Sequence, residues 1–113
     1  MKTPMTAPKE NSILIDGLQK HELQAYGLFY DQYAPLFYGT IKNSLYREEL
    51  SEQTTVDSFH LIWRNIKDFD AARESLLLWS LKLVKKEISK QKVNLLLKEI
   101  FSCQHAHLKE PAY

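Results

Sequence analysis

The residues whose types and spacing could do chemistry are Trp79, Lys82, Lys86 and Lys90. On a helix turning about 100° per residue, the three lysines share one line and the indole falls among them. Lys85 and Lys92 take the other flank of an apolar stripe of Leu77, Leu81, Val84 and Ile88, so all five ammonium groups avoid that stripe. Ammonium groups in a row meet phosphates, and an aromatic ring set between them can stack on a base. The pattern suits a strand of nucleic acid. It also suits a ring packed beneath a neighbouring helix, with the lysines as a solvated face.

Local charge supports a polyanionic partner. Between Glu74 and Lys98 six lysines stand against two glutamates, a net +4, whereas the whole chain carries +1. Such a segment attracts a polyanion even on a nearly neutral molecule.

Other chemistries find little support. Cys103, His105 and His107 form a C-x-H-x-H run that offers three ligands at a spacing unlike the usual zinc signatures. It reads as a polar tail. Glu48, Glu49 and Glu52 gather at a helix start, where carboxylates meet the positive end of the helix dipole. His21 and His60 stand alone, as surface or boundary residues. There is no Gly-rich phosphate loop and no Ser/His/Asp arrangement. The expectation is a protein without catalytic centre, metal or cofactor.

The elements that must position these residues are helices. Hydrophobic residues make up 44% and charged residues 26% of 113, which excludes disorder over most of the length and allows one modest core. Three glycines and few alternating runs favour an all-α chain, a compact bundle of about four helices with a C-terminal helical extension. One cysteine rules out an internal disulfide and fits a reducing compartment. MKTPMTAPKENS lacks an apolar signal core, and no run approaches the roughly 20 residues that span a bilayer. A cytoplasmic protein without membrane contact is expected.

In order, residues 1–10 read as a flexible tail containing Pro4 and Pro8. Asn11 or Ser12 caps a short first helix ending near Lys20 and His21. A second helix runs from about Glu22 to Leu45 on a stripe of Ala25, Phe29, Tyr33, Leu36, Phe37, Thr40, Ile41 and Leu45. Pro35 is expected to kink it, since the periodicity resumes in phase beyond it, the alternative being two helices broken there. The third runs from about Glu48 to Lys67 and buries Leu50, Phe59, Ile62, Trp63 and Ile66. Asp70 or Ser75 caps the fourth, which reaches Lys90 and extends toward Phe101. The unit is therefore placed at residues 11–92, and 93–113 form an extension.

The order of these pieces resembles region 2 of the sigma-70 family of bacterial RNA polymerase sigma factors, in particular the extracytoplasmic-function (ECF) branch. The likeness covers about Ile13 to Lys92. AYGLFYDQYAPLFYGTI is similar to the family's Ala-Phe…Leu-Tyr…Tyr-Ala-Pro…Tyr helix, including Pro35. SEQTTVDSFHLIWRNIKDF is similar to its Ala-Glu-Asp-Leu-x-Gln-Glu-x-Phe-x-x-x-Trp helix, with Glu52, Asp57, Phe59 and Trp63 matching in type and place. DAARESLLLWSLKLVKKEI looks like the segment in which a Trp-Leu pair opens a basic helix.

The resemblance implies a domain for transcription initiation. Glu49, Glu52, Gln53, Val56 and Asp57 would then dock on the clamp helices of the largest subunit of core RNA polymerase. Arg73, Trp79, Lys82, Lys85, Lys86 and Lys90 would hold the melted, single-stranded minus-ten promoter DNA, with Trp79 stacking and Arg73 nearest a base edge. Four positions depart from the pattern. Gln53 and Val56 replace an Asp and a Gln, Ser80 a Leu, and Lys86 an Asn. A valine leaves a polar partner unpaired, at about 1–3 kcal/mol. Region 4, the helix-turn-helix domain of the family, is not expected within these 113 residues. A second expectation is thus a sigma-like protein-interaction module that has lost promoter recognition and binds an anti-sigma factor or a second copy of itself.

Overall fold

A computed structural model describes residues 12–109, with side chains as far as residue 102. Helix α1 covers residues 12–19, α2 Leu23–Leu45, α3 Glu48–Asn65 and α4 Leu76–Lys109, with one 3-10 turn at Ile66–Asp68. The described residues contain no strand, and the all-α reading holds.

Helix α2 is continuous through Pro35, so the proline does not divide it in two. Its periodicity is what buries Ala25, Phe29, Phe37, Ile41 and Leu45, leaving Tyr33 and Thr40 half-buried and Leu36 exposed. Phe59 of α3 enters this stripe, with ring centroids 4.5 Å from Tyr30 and 5.4 Å from both Phe29 and Phe37. These contacts fix how α2 and α3 meet. Two tight turns set the directions of the helices. His21 and Tyr46 both take the left-handed conformation at φ 57°, and the Tyr46 amide closes α2 by donating to the Lys42 carbonyl. At Gly17 a Cβ would lie 2.7 Å from that of Ala25, so only glycine lets α1 approach α2 there.

The inner face of α3 is more polar than its apolar pattern predicts. Ser51, Thr54, Thr55 and Ser58 are all buried. Thr54, Thr55 and Ser58 return their hydroxyls to the carbonyls of Leu50, Ser51 and Thr54 at 2.7, 2.7 and 2.8 Å. These three donors are satisfied inside the helix, whereas the buried Ser51 hydroxyl has no hydrogen-bond partner among the described residues. Leu50 and Trp63, expected inside, are half-buried.

Of the two proposed capping residues, Ser75 is the one that caps the fourth helix. Asp70 Oδ1 accepts from the Ala72 amide and organises the turn, while Ser75 Oγ accepts from the Leu78 amide and caps α4. The buried line of α4 is Leu76, Ser80, Val84, Glu87 and Ile88. The stripe expected through Leu77 is thus shifted at its start, and Leu77 is 36% exposed. The helix continues through Lys92 without interruption to Lys109, about 50 Å at 1.5 Å per residue.

Burial raises the phenol pKa of Tyr26, with a smaller contribution from neighbouring Tyr30, and burial alone raises that of Tyr33. The folded state therefore holds these protons at pH values where the unfolded chain releases them. Their contribution to stability is complete below the ordinary value of 10.0 and is lost as pH climbs through the raised folded values. The melting temperature is expected to fall on titration above about pH 10. Tyr26→Phe, which has no proton to lose, should show a shallower fall in the same series of thermal melts.

Candidate nucleic-acid interface

The joint between α3 and α4 is a hydrogen-bonded turn. Asp70 accepts the amides of Arg73 and Glu74 at its carbonyl, at 3.0 and 3.4 Å, besides the Ala72 amide at its carboxylate. Gln19 of α1 spans the start of the joint, its Nε2 donating to the carbonyls of Ile66 at 3.1 Å and Phe69 at 2.8 Å. Phe69, itself buried, meets Trp79 with ring centroids 5.3 Å apart and planes inclined at 55°. A chain of contacts from α1 through the joint thus sets the position of the indole.

Trp79 is half-buried, packed at the margin of the core and not sealed within it. Lys82, Lys86 and Lys90 are exposed. They lie on the same line of α4 as Trp79, the last two about 6 Å apart along the axis. Arg73 is exposed in the turn beside them in sequence. Lys85 is exposed as well, but about 120° round the helix from Trp79. A ligand on the indole does not reach it along this face. Lys82 is also engaged, its Nζ 2.6 Å from Glu74 Oε1. An exposed pair of this kind contributes at most about 1 kcal/mol, so a phosphate can displace the glutamate.

The second predicted group lies on the outer side of α3. Glu49, Glu52, Gln53 and Val56 line one shallow groove with Leu50. Glu52 and Val56 also border a second, with Thr55 and with Tyr30, Ala34, Pro35 and Tyr38 of α2. Val56 is 38% exposed. Gln53 Nε2 donates to Asp57 Oδ1 at 3.0 Å within the helix. The surface is therefore mixed, an apolar strip between carboxylates.

Several contributors escaped the sequence reading. Tyr30, Ala34 and Tyr38 recur every four residues beside the buried stripe of α2, a signal that marks a second face. His21 is no isolated residue: its ring stacks on Trp63 at 4.4 Å and its Nε2 donates to the Trp63 carbonyl at 3.1 Å. Gln19 and Glu74 carried no local signal. Among the described residues no group of three His, Cys, Asp or Glu could hold a metal, and no helix is long and apolar enough to cross a membrane. The side chains of Cys103, His105 and His107 lie outside the described residues.

The chain is 35% identical over 81 residues to "ECF RNA polymerase sigma factor SigK" of Mycobacterium tuberculosis (strain ATCC 25618 / H37Rv), covering 68% of this chain and 43% of that protein. Proteins of the same name are 32% identical over 81 residues in Mycobacterium ulcerans, with the same coverage, and 34% over 74 residues in Mycolicibacterium vanbaalenii, covering 66% of this chain and 38% of that protein. The chain thus spans about two fifths of the length of the curated relatives it matches. No family model and no solved structure matches it. An all-helical bundle, a basic helix opened by tryptophan and this level of identity agree, and the chain belongs to the extracytoplasmic-function branch of the sigma-70 family of RNA polymerase sigma factors.

Proposed function

We propose that the chain acts in transcription initiation as a sigma region 2 domain. It binds the clamp helices of core RNA polymerase with the outer side of α3, through Glu49, Glu52, Gln53, Val56 and Asp57. It holds the melted non-template strand of the minus-ten element along α4. The observation that carries this reading is Trp79 at the margin of the core, in line with the exposed Lys82, Lys86 and Lys90. Arg73 contacts a base edge from the joint, and Lys85 meets the backbone only where the strand leaves the indole and wraps round α4. The role needs no catalytic group or cofactor, and it places the protein in the cytoplasm.

One observation favours a second reading, a sigma-like module that binds an anti-sigma factor or another copy of itself without reading promoter DNA. Gln53 is turned to Asp57 within its own helix, and Val56 has no hydrogen bond to offer. Fluorescence anisotropy separates the two. Minus-ten-like single strands should bind better than the matching duplex, with a logarithmic salt slope of about −2 if three lysines each neutralise one phosphate. Absent or salt-insensitive binding, with no retention on the polymerase largest subunit, would replace the first reading by the second.

A further inference from the structure

Beyond the bundle, α4 carries an uncovered apolar face. Val93, Leu96, Leu97, Ile100 and Phe101 are 43–66% exposed. At about 100° per residue they fall within one arc of about 140°. A continuous row of five large apolar side chains is more than isolated surface residues explain. Lys92 and Glu99, both exposed, stand together on one edge of this face, just beyond Leu96 and seven residues apart. Neither makes an ion pair among the described residues.

We propose that this face pairs with the same face of a second copy, the two α4 helices running antiparallel about a two-fold axis near Leu96. The edge charges select this arrangement. An antiparallel pair brings like edges together in reversed order, so Lys92 of each copy meets Glu99 of the other and two reciprocal ion pairs close over the apolar seam. A parallel pair brings unlike edges together and sets Lys92 against Leu97, with no charge to meet. A two-fold interface needs one patch complementary to itself, and here a single helix supplies both the apolar row and the opposite charges. The pairing does not depend on nucleic-acid binding.

Sedimentation equilibrium of the full chain tests it. The chain should dimerise with rising concentration, and Leu96→Glu should leave a monomer with unchanged helical circular dichroism. Lys92→Glu and Glu99→Lys should each weaken association about tenfold, since each turns both ion pairs into repulsions. The double exchange Lys92→Glu/Glu99→Lys should restore it. A chain that stays monomeric up to its solubility limit overturns the proposal. So does a dimer whose single charge variants associate as tightly as the parent, or whose double exchange brings no recovery.

Discussion

Phe59→Ala is expected to lower the stability of the domain by about 3–5 kcal/mol, out of the roughly 5–15 kcal/mol available to a single domain. The side chain is fully buried. Its ring also touches four aromatic neighbours, Tyr26, Phe29, Tyr30 and Phe37, at centroid distances of 4.5–6.3 Å. Removing it forfeits the transfer free energy of the ring and leaves a cavity among rigid rings that cannot collapse to fill it. Because Phe59 is the residue through which α3 enters the stripe of α2, the loss reaches the outer grooves that Glu52 and Val56 share with Tyr30 and Tyr38. Urea denaturation would show the shift as a lower midpoint at unchanged slope. Leu23→Ala, at a position 79% exposed, should move the midpoint little. A loss below about 1 kcal/mol for Phe59→Ala would contradict a well-packed aromatic centre.

The Phe29, Tyr33 and Phe37 part of this aromatic centre was legible in the sequence because these rings recur every four residues in phase with Ala25 and Ile41. Tyr30, at the same spacing on the neighbouring line, was not. Nor was the inner face of α3. Apolar periodicity equates burial with hydrophobicity, whereas Ser51, Thr54, Thr55 and Ser58 are buried by virtue of being small, three of them returning their hydroxyls to their own helix. In α4 the leucines at 76, 77, 78, 81 and 83 offer overlapping stripes, and Ser80 and Glu87 on the true buried line disguise it. The basic line beside it was legible nonetheless, since lysines mark the solvent side whichever leucine leads. Gln19 was out of reach for another reason. Its bonds to Ile66 and Phe69 join residues 47 and 50 positions apart, and no local pattern encodes such a contact.

Trp79→Ala is expected to weaken binding of a minus-ten-like single strand by about 5- to 150-fold, the equivalent of the 1–3 kcal/mol that one base–aromatic stack contributes. The logarithmic salt slope should stay the same, because Lys82, Lys86 and Lys90 still neutralise the same phosphates. Lys86→Ala/Lys90→Ala should do the reverse, flattening the slope by about 1.4 while leaving the stacking contribution in place. Trp79→Phe keeps an aromatic face and should recover part of the loss. The ring also packs on Phe69 at 5.3 Å, so Trp79→Ala removes a contact of the core margin as well as a stack. Gln19 still holds the carbonyls of Ile66 and Phe69 from the other side, which keeps the joint in place without the indole. Helical circular dichroism should therefore be preserved in this variant. If affinity changes less than twofold in a variant that remains folded, the indole serves only as packing for Phe69, and α4 holds a strand by charge alone.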